Sequence, residues 1–128
     1  RLTVLPRRGG MDLAKEGLRT GSWLLMLLDQ RPRRSEVMAP FFGGPARTER
    51  SAGVLARRQR LPLVFFHCLK TEEPFRYRLQ FTRVVSAEEV RSLSVEELAT
   101  LVNQEAEKSI LSCPEQYFWL HDRFRAHP

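Results

Sequence analysis

The sequence predicts a mixed α/β domain, in which helices flank a largely parallel sheet and a helical segment closes the C-terminal end. Two continuous apolar runs, at residues 23–28 and 61–69, are typical of strands buried on both faces of a sheet. Residues 74–85 alternate between apolar and polar side chains, as expected of a strand with one exposed face. The short polar stretch at residues 71–73 predicts a hairpin between the last two of these strands.

The N-terminal half is predicted to alternate strands with helices. Residues 2–5 form a short β-type run, and residues 11–19 have the apolar spacing of a helix. Helix is the competing interpretation for residues 23–28, but their short length and the breakers on either side favour a strand. Residues 31–45, rich in Arg, Pro and Gly, are expected to form a loop, and residues 48–58 a helix.

The C-terminal half carries three helix starts. Ser86 and Ser94 are each followed three residues later by a glutamate, which is the pattern of a capping box. Proline is well tolerated in a first helical turn, so Pro114 predicts a last helix over residues 114–125. The long helix that follows Ser94 is expected to bury an apolar stripe made of Val95, Leu98, Val102, Ala106 and Ile110.

Charge is unevenly distributed along the chain. The net charge is +6 over 128 residues, but residues 1–60 hold 13 Lys and Arg against 5 Asp and Glu, a net charge of +8. Residues 61–128 hold 8 against 10, a net charge of −2. A basic half favours an anionic partner, such as phospholipid headgroups, a phosphorylated glycolipid, an acidic carrier protein or a nucleic acid.

Size and composition narrow the class of protein. The chain has the length of one domain or of part of a larger one, and because it starts at Arg1 within a strand-like run we expect a part. The longest apolar run is far shorter than the ~20 residues of a transmembrane helix. Cys68 and Cys113 are far apart and form no CxxC pair, so we expect no metal and no cofactor.

Two short stretches are candidate binding residues. Asp29 and Gln30 follow the most hydrophobic predicted strand, and ligands of open α/β sheets bind beyond the carboxyl ends of strands. A turn-capping role for Asp29 is an equal alternative. Phe41 and Phe42, followed by Gly43, place two apolar rings on a loop, where they could line an acyl channel, contact a bilayer or pin the loop to the core.

Two histidines are interpreted as structural. His67 and Glu72 match the H-x4-D/E pattern in which a carboxylate orients a general-base imidazole. However, His67 lies within a predicted strand, whereas that chemistry needs both side chains in one cleft, so we reject the match. His121, in the aromatic C-terminal stretch, is expected to be a hydrogen-bonded structural residue.

Four sequence blocks together resemble a known family. They are LLDQ at residues 27–30, APFFGGPART at 39–48, LPLVF at 61–65 and PEQYFWLH at 114–121. In this order and spacing they are similar to the C-terminal portion of the bacterial lipid A biosynthesis (lauroyl/myristoyl) acyltransferases, within the glycerolipid acyltransferase fold group.

The resemblance implies a function and a place in the cell. Residues 1–128 would be the C-terminal part of one acyltransferase domain, inactive alone, with the H-x4-D/E block upstream of Arg1. The family moves a fatty acyl group from acyl carrier protein or acyl-CoA to a hydroxyl of a lipid A precursor or lysophospholipid, at the cytoplasmic face of the inner membrane. By position, the resemblance assigns substrate binding to Asp29, Gln30, Phe41, Phe42, Gly43 and, loosely, Arg7.

A second hypothesis stays open at this point. A small basic α/β domain could be a non-catalytic module that binds anionic membranes or nucleic acid. No nucleic-acid recognition motif supports the latter, so we expect an anionic membrane surface, and not a nucleic acid, among the partners.

Overall fold

The structure is a computed structural model that describes residues 2–6, 8–32 and 36–124. Within these residues the chain forms four α-helices and two separate two-stranded sheets, which confirms the mixed α/β class. In chain order the elements are α1 (Gly10–Arg19), β1 (Glu36–Phe41), β2 (Gly44–Glu49), α2 (Ser51–Gln59), β3 (Leu63–Lys70), β4 (Tyr77–Val85), α3 (Ala87–Ser92), α4 (Val95–Ser112) and a 3₁₀ turn (Pro114–Gln116).

The predicted largely parallel sheet is wrong for the described residues, where both sheets are antiparallel hairpins. Strand β1 pairs with β2, and β3 pairs with β4 in the hairpin that the sequence predicted. Antiparallel neighbours need only a short turn, whereas parallel strands need a long crossover and a third element to cover them. Each strand here therefore pairs with its neighbour in sequence.

Three segments were assigned the wrong structure from their composition. Residues 2–5, predicted as a short strand, belong to neither sheet. Residues 23–28 belong to neither sheet, and their Trp23 and Leu27 side chains are 86% and 80% exposed. An apolar run becomes a strand only where a neighbouring strand forms hydrogen bonds with its backbone, and no described strand does so here. The predicted loop at residues 31–45, in contrast, contains β1 and the start of β2.

The predicted C-terminal helix is also wrong, because only a 3₁₀ turn forms at Pro114–Gln116. The indole Nε1 of Trp119 donates a hydrogen bond of 2.7 Å to the Pro114 carbonyl. In an α-helix that carbonyl would accept from the backbone N–H four residues later. Here it accepts instead from the Tyr117 N–H, three residues later, at 3.3 Å, as well as from the indole. Residues 117–124, called the C-terminal segment below, continue without regular helix.

Helix α4 organises the packing. Its start is the predicted capping box, in which Ser94 and Glu97 each accept a backbone hydrogen bond from the other. On one side α4 packs against α2, α3 and the ends of the second hairpin, with Leu98 and Val85 fully buried. On the other side, Ile110 packs with the β1–β2 hairpin. The helix thereby fixes the hairpin that forms one wall of the candidate site.

Candidate functional site

An aromatic pocket lies between the tip of the β1–β2 hairpin and the C-terminal segment. Its volume is about 270 Å³, close to the lower end of the range for small-molecule sites. It is lined by Phe41, Phe42, Tyr117, Trp119, His121, Asp122, Arg123 and Phe124. We call this the aromatic pocket. An apolar lining with a few polar groups suits a ligand that has an apolar body and a polar end.

The hairpin tip supplies one wall through a tight two-residue turn. Phe42 and Gly43 both have positive φ, 46° and 78°, as a type I′ hairpin turn requires. Such a φ is unfavourable for phenylalanine. A 2.7 Å hydrogen bond from the Phe42 N–H to the Glu107 carboxylate on α4 helps to hold the turn in this conformation. Phe41 is 2% exposed and pins the hairpin to the core, while Phe42 is 38% exposed at the pocket.

Arg123 is the buried cation of the site, with 2% exposure. Its Nη1 donates to the Asp29 carbonyl at 2.8 Å, and its Nη2 donates to Asn103 Oδ1 at 3.1 Å. Its guanidinium carbon lies 4.6 Å from the centre of the Phe41 ring. A buried charge is tolerated only when several partners surround it, and these contacts join the C-terminal segment to three other parts of the chain.

Asn103 on α4 completes this network. It is fully buried, and its amide donates to the Pro40 carbonyl and to the Thr48 hydroxyl, each at 2.8 Å. Both acceptors lie on the β1–β2 hairpin. The network therefore fixes the hairpin, α4 and the C-terminal segment relative to one another.

The predicted residues Asp29 and Gln30 lie next to the aromatic pocket. The Asp29 carbonyl is bound by Arg123, and the Arg31 N–H donates a 2.7 Å hydrogen bond to His121 Nε2. Arg123 and His121 both line the pocket. The side chains of Asp29 and Gln30 are exposed, so they are accessible to a ligand. The structural role expected for His121 is confirmed.

Burial shifts two titrating groups of the pocket. It raises the pKa of the Tyr117 phenol, an effect that the nearby Arg123 opposes. It also lowers the pKa of the Arg123 guanidinium, which Tyr117 and Asp29 oppose. Tyr117 Oη and Arg123 Nε are buried without a hydrogen-bond partner among the described residues. At neutral pH the phenol is protonated and the guanidinium is charged, so neither group offers a nucleophile.

The remaining candidates are distributed as follows. Phe41 and Phe42 line the pocket, whereas Gly43 contributes the turn between them and β2. Arg7 lies outside the described residues. No role was predicted for Asn103 or for Arg123, although a polar residue within the buried face of α4 was a signal that could have identified Asn103.

The pair His67 and Glu72 does not form a catalytic site among the described residues. His67 lies on β3, and its Nε2 is buried without a hydrogen-bond partner. Glu72 is exposed in the hairpin turn and lines a separate shallow surface with Lys70 and Gln116, to which His67 does not contribute. A general base and its orienting carboxylate must be within hydrogen-bond reach.

Fold and site together define a mixed α/β protein with an aromatic pocket, beside which the Asp29 carboxylate and the Gln30 amide are exposed. None of the described helices is both long and apolar enough to cross a membrane. The chain belongs to the bacterial lipid A biosynthesis acyltransferase family, whose family model matches residues 1–126. A comparison with curated proteins returned no match. At the family level the protein is an acyltransferase, and the binding-module alternative gains no support.

Proposed function

We propose that residues 1–128 form the acceptor side of an acyltransferase that acylates a hydroxyl of a lipid A-like glycolipid or of a lysophospholipid. The donor is an acyl thioester on acyl carrier protein or CoA. The observation that carries the proposal concerns Asp29 and Gln30, which are exposed beside the aromatic pocket. Two lining residues of the pocket hold their backbone, since Arg123 donates to the Asp29 carbonyl and His121 accepts the Arg31 N–H. Family membership supports the reaction class.

In the proposed reaction, the acceptor hydroxyl oxygen attacks the thioester carbonyl. The new C–O ester bond replaces the C–S bond, and the thiolate leaves. The hydroxyl proton passes to a general-base histidine in an H-x4-D/E block that lies outside residues 1–128, and then to the leaving thiolate. Asp29 and Gln30 hydrogen-bond the acceptor, and Phe42 with Trp119 contacts its apolar part. The chain works at the cytoplasmic face of the bacterial inner membrane.

Exposed apolar side chains support the lipid contact. Phe118, Trp119 and Leu120 follow one another in the C-terminal segment and are 67%, 55% and 87% exposed. Exposed apolar side chains of this kind are typical of surfaces that enter a membrane interface, and the net charge of +8 over residues 1–60 favours anionic lipid. We therefore include an anionic membrane surface among the proposed partners, and sedimentation with anionic and neutral vesicles measures this binding.

The test is acyl transfer by the protein that contains residues 1–128 together with the H-x4-D/E block. It is incubated with a dodecanoyl thioester of acyl carrier protein, or of CoA, and with a lipid A precursor or lysophosphatidylglycerol, and products are measured by mass spectrometry. The variant Asp29→Asn should lower kcat/KM about 10- to 100-fold, the effect of losing a charged hydrogen bond. Glu72→Gln is the matched control and should leave the rate unchanged.

Two results would refute the proposal. The first is no acylated product with any donor and acceptor pair. The second is full activity of Asp29→Asn. Transfer by residues 1–128 alone would return His67 as the candidate base, and the variant His67→Ala would then decide the matter.

A further inference from the structure

Two side chains of the C-terminal segment bind the backbone on both sides of Gln30. His121 Nε2 accepts the Arg31 N–H at 2.7 Å, and Arg123 Nη1 donates to the Asp29 carbonyl at 2.8 Å. The two contacts run in antiparallel order, with residue 31 opposite 121 and residue 29 opposite 123. We propose that His121 and Arg123 are positioning residues that hold residues 29–31 in the conformation that binds the acceptor, an inference that rests on the proposed function.

The contacts use only the backbone of residues 29–31. The side chains of Asp29 and Gln30 therefore remain exposed and available to a ligand. A loop whose backbone is fixed before binding loses less conformational freedom when the ligand arrives, and this improves affinity. Bound at both ends, Gln30 is held where its amide and the neighbouring carboxylate can meet one acceptor headgroup.

The chemistry of His121 makes its role specific. To accept the Arg31 N–H, Nε2 must be unprotonated, so the ring carries its proton on Nδ1. Phenylalanine keeps the ring shape but has no acceptor. Glutamine offers a carbonyl oxygen at a similar distance from the backbone. The pair His121→Phe and His121→Gln therefore separates hydrogen bonding from packing.

Arg123 is suited to its position by its planar group of donors. Its two terminal nitrogens bind Asp29 and Asn103 at once, from a buried site against the Phe41 ring. A lysine carries a single ammonium and does not reproduce this fork. Arg123→Lys should release the Asp29 end of the segment while it retains a positive charge.

The experiment measures the conformation of the segment and acceptor binding separately. Amide hydrogen exchange at residue 31 reports the His121 contact without any need for catalysis. Calorimetry with detergent-solubilised lipid A precursor, and separately with lysophosphatidylglycerol, gives the acceptor Kd. Glu72→Gln is the control, because Glu72 is exposed in the β3–β4 turn and does not line the aromatic pocket.

We expect His121→Phe to accelerate exchange at residue 31 and to raise the acceptor Kd, each by about three- to tenfold, the worth of one net hydrogen bond. Binding of the acyl donor should not change. His121→Gln should restore both values, Glu72→Gln should alter neither, and Arg123→Lys should raise the acceptor Kd.

Unchanged exchange at residue 31 in His121→Phe would overturn the proposed contact. Faster exchange with an unchanged acceptor Kd would overturn its role in binding. If the wild-type protein binds the precursor and shows these effects but transfers no acyl group, the positioning role stands and the proposed reaction fails. If it binds neither acceptor, both are wrong. Should Arg123→Lys fail to fold, the two His121 variants still decide.

Discussion

Replacing Asn103 by alanine tests the network that fixes the candidate site. The side chain is fully buried, donates to Pro40 and Thr48, and accepts from Arg123. Truncation leaves three buried polar groups each short of one partner, at about 1–3 kcal/mol for each group that stays unsatisfied. Two of them keep weaker contacts, since the Thr48 hydroxyl also reaches Ala46 at 3.3 Å and Arg123 also reaches a carbonyl at 3.5 Å.

We therefore expect Asn103→Ala to lower the free energy of unfolding by about 3 kcal/mol, near the low end of that sum. Urea denaturation followed by circular dichroism measures it. With a slope of about 1–3 kcal/mol per molar urea, the midpoint should fall by about 1–3 M. Gln104→Ala, at an exposed neighbouring position on α4, is the control and should stay within about 0.5 kcal/mol of wild type. An Asn103→Ala midpoint equal to that of the control would refute the network.

Three further predictions concern separate features. Gly43→Ala should destabilise the protein by about 1 kcal/mol in thermal unfolding, because its φ of 78° is strained for any residue with a Cβ, and an unchanged Tm would contradict this turn. Ser94→Ala should cost about 1 kcal/mol through loss of the helix cap. The Ser94 backbone N–H, which this variant keeps, is the main cause that lowers the pKa of Glu97 from its usual 4.5. The wild-type advantage over Glu97→Ala should therefore be greatest above that pH and decrease as pH falls through the lowered value; a pH-independent difference would argue against the capping box. Hydrogen bonding to Glu115 raises the pKa of the Cys113 thiol, so Glu115→Gln should speed its alkylation by iodoacetamide at pH 8, and an equal rate would contradict the contact.

The sequence predicted best what depends on neighbouring residues. The capping box at Ser94 needs only a serine and a glutamate three residues apart, and it forms as expected. The β3–β4 hairpin follows from alternation and a short turn. Asp29 and Gln30 lie beside the aromatic pocket, but the strand that was predicted to end before them does not form, so the reason given for their position was wrong.

The sequence could not predict what depends on distant residues. The Asp29 carbonyl and Arg123 are 94 positions apart, and no local pattern indicates that this arginine is buried. Residues 23–28 were predicted as a strand that does not form. An apolar run favours burial, but it does not show whether a neighbouring strand is available to pair with it. The predicted C-terminal helix stops after one 3₁₀ turn, where the Pro114 carbonyl accepts from the Tyr117 N–H and from the Trp119 indole.

Photo-crosslinking tests the central claim most directly, namely that the acceptor lipid binds at the aromatic pocket beside residues 29–31. A lipid A precursor with a photoreactive group on its headgroup is irradiated with the protein, and labelled peptides are identified by mass spectrometry. The account predicts label on residues 29–31 and on the C-terminal segment, with loss of label when unmodified precursor competes. Label confined to the β3–β4 hairpin around His67, and absent from both of these segments, would contradict it.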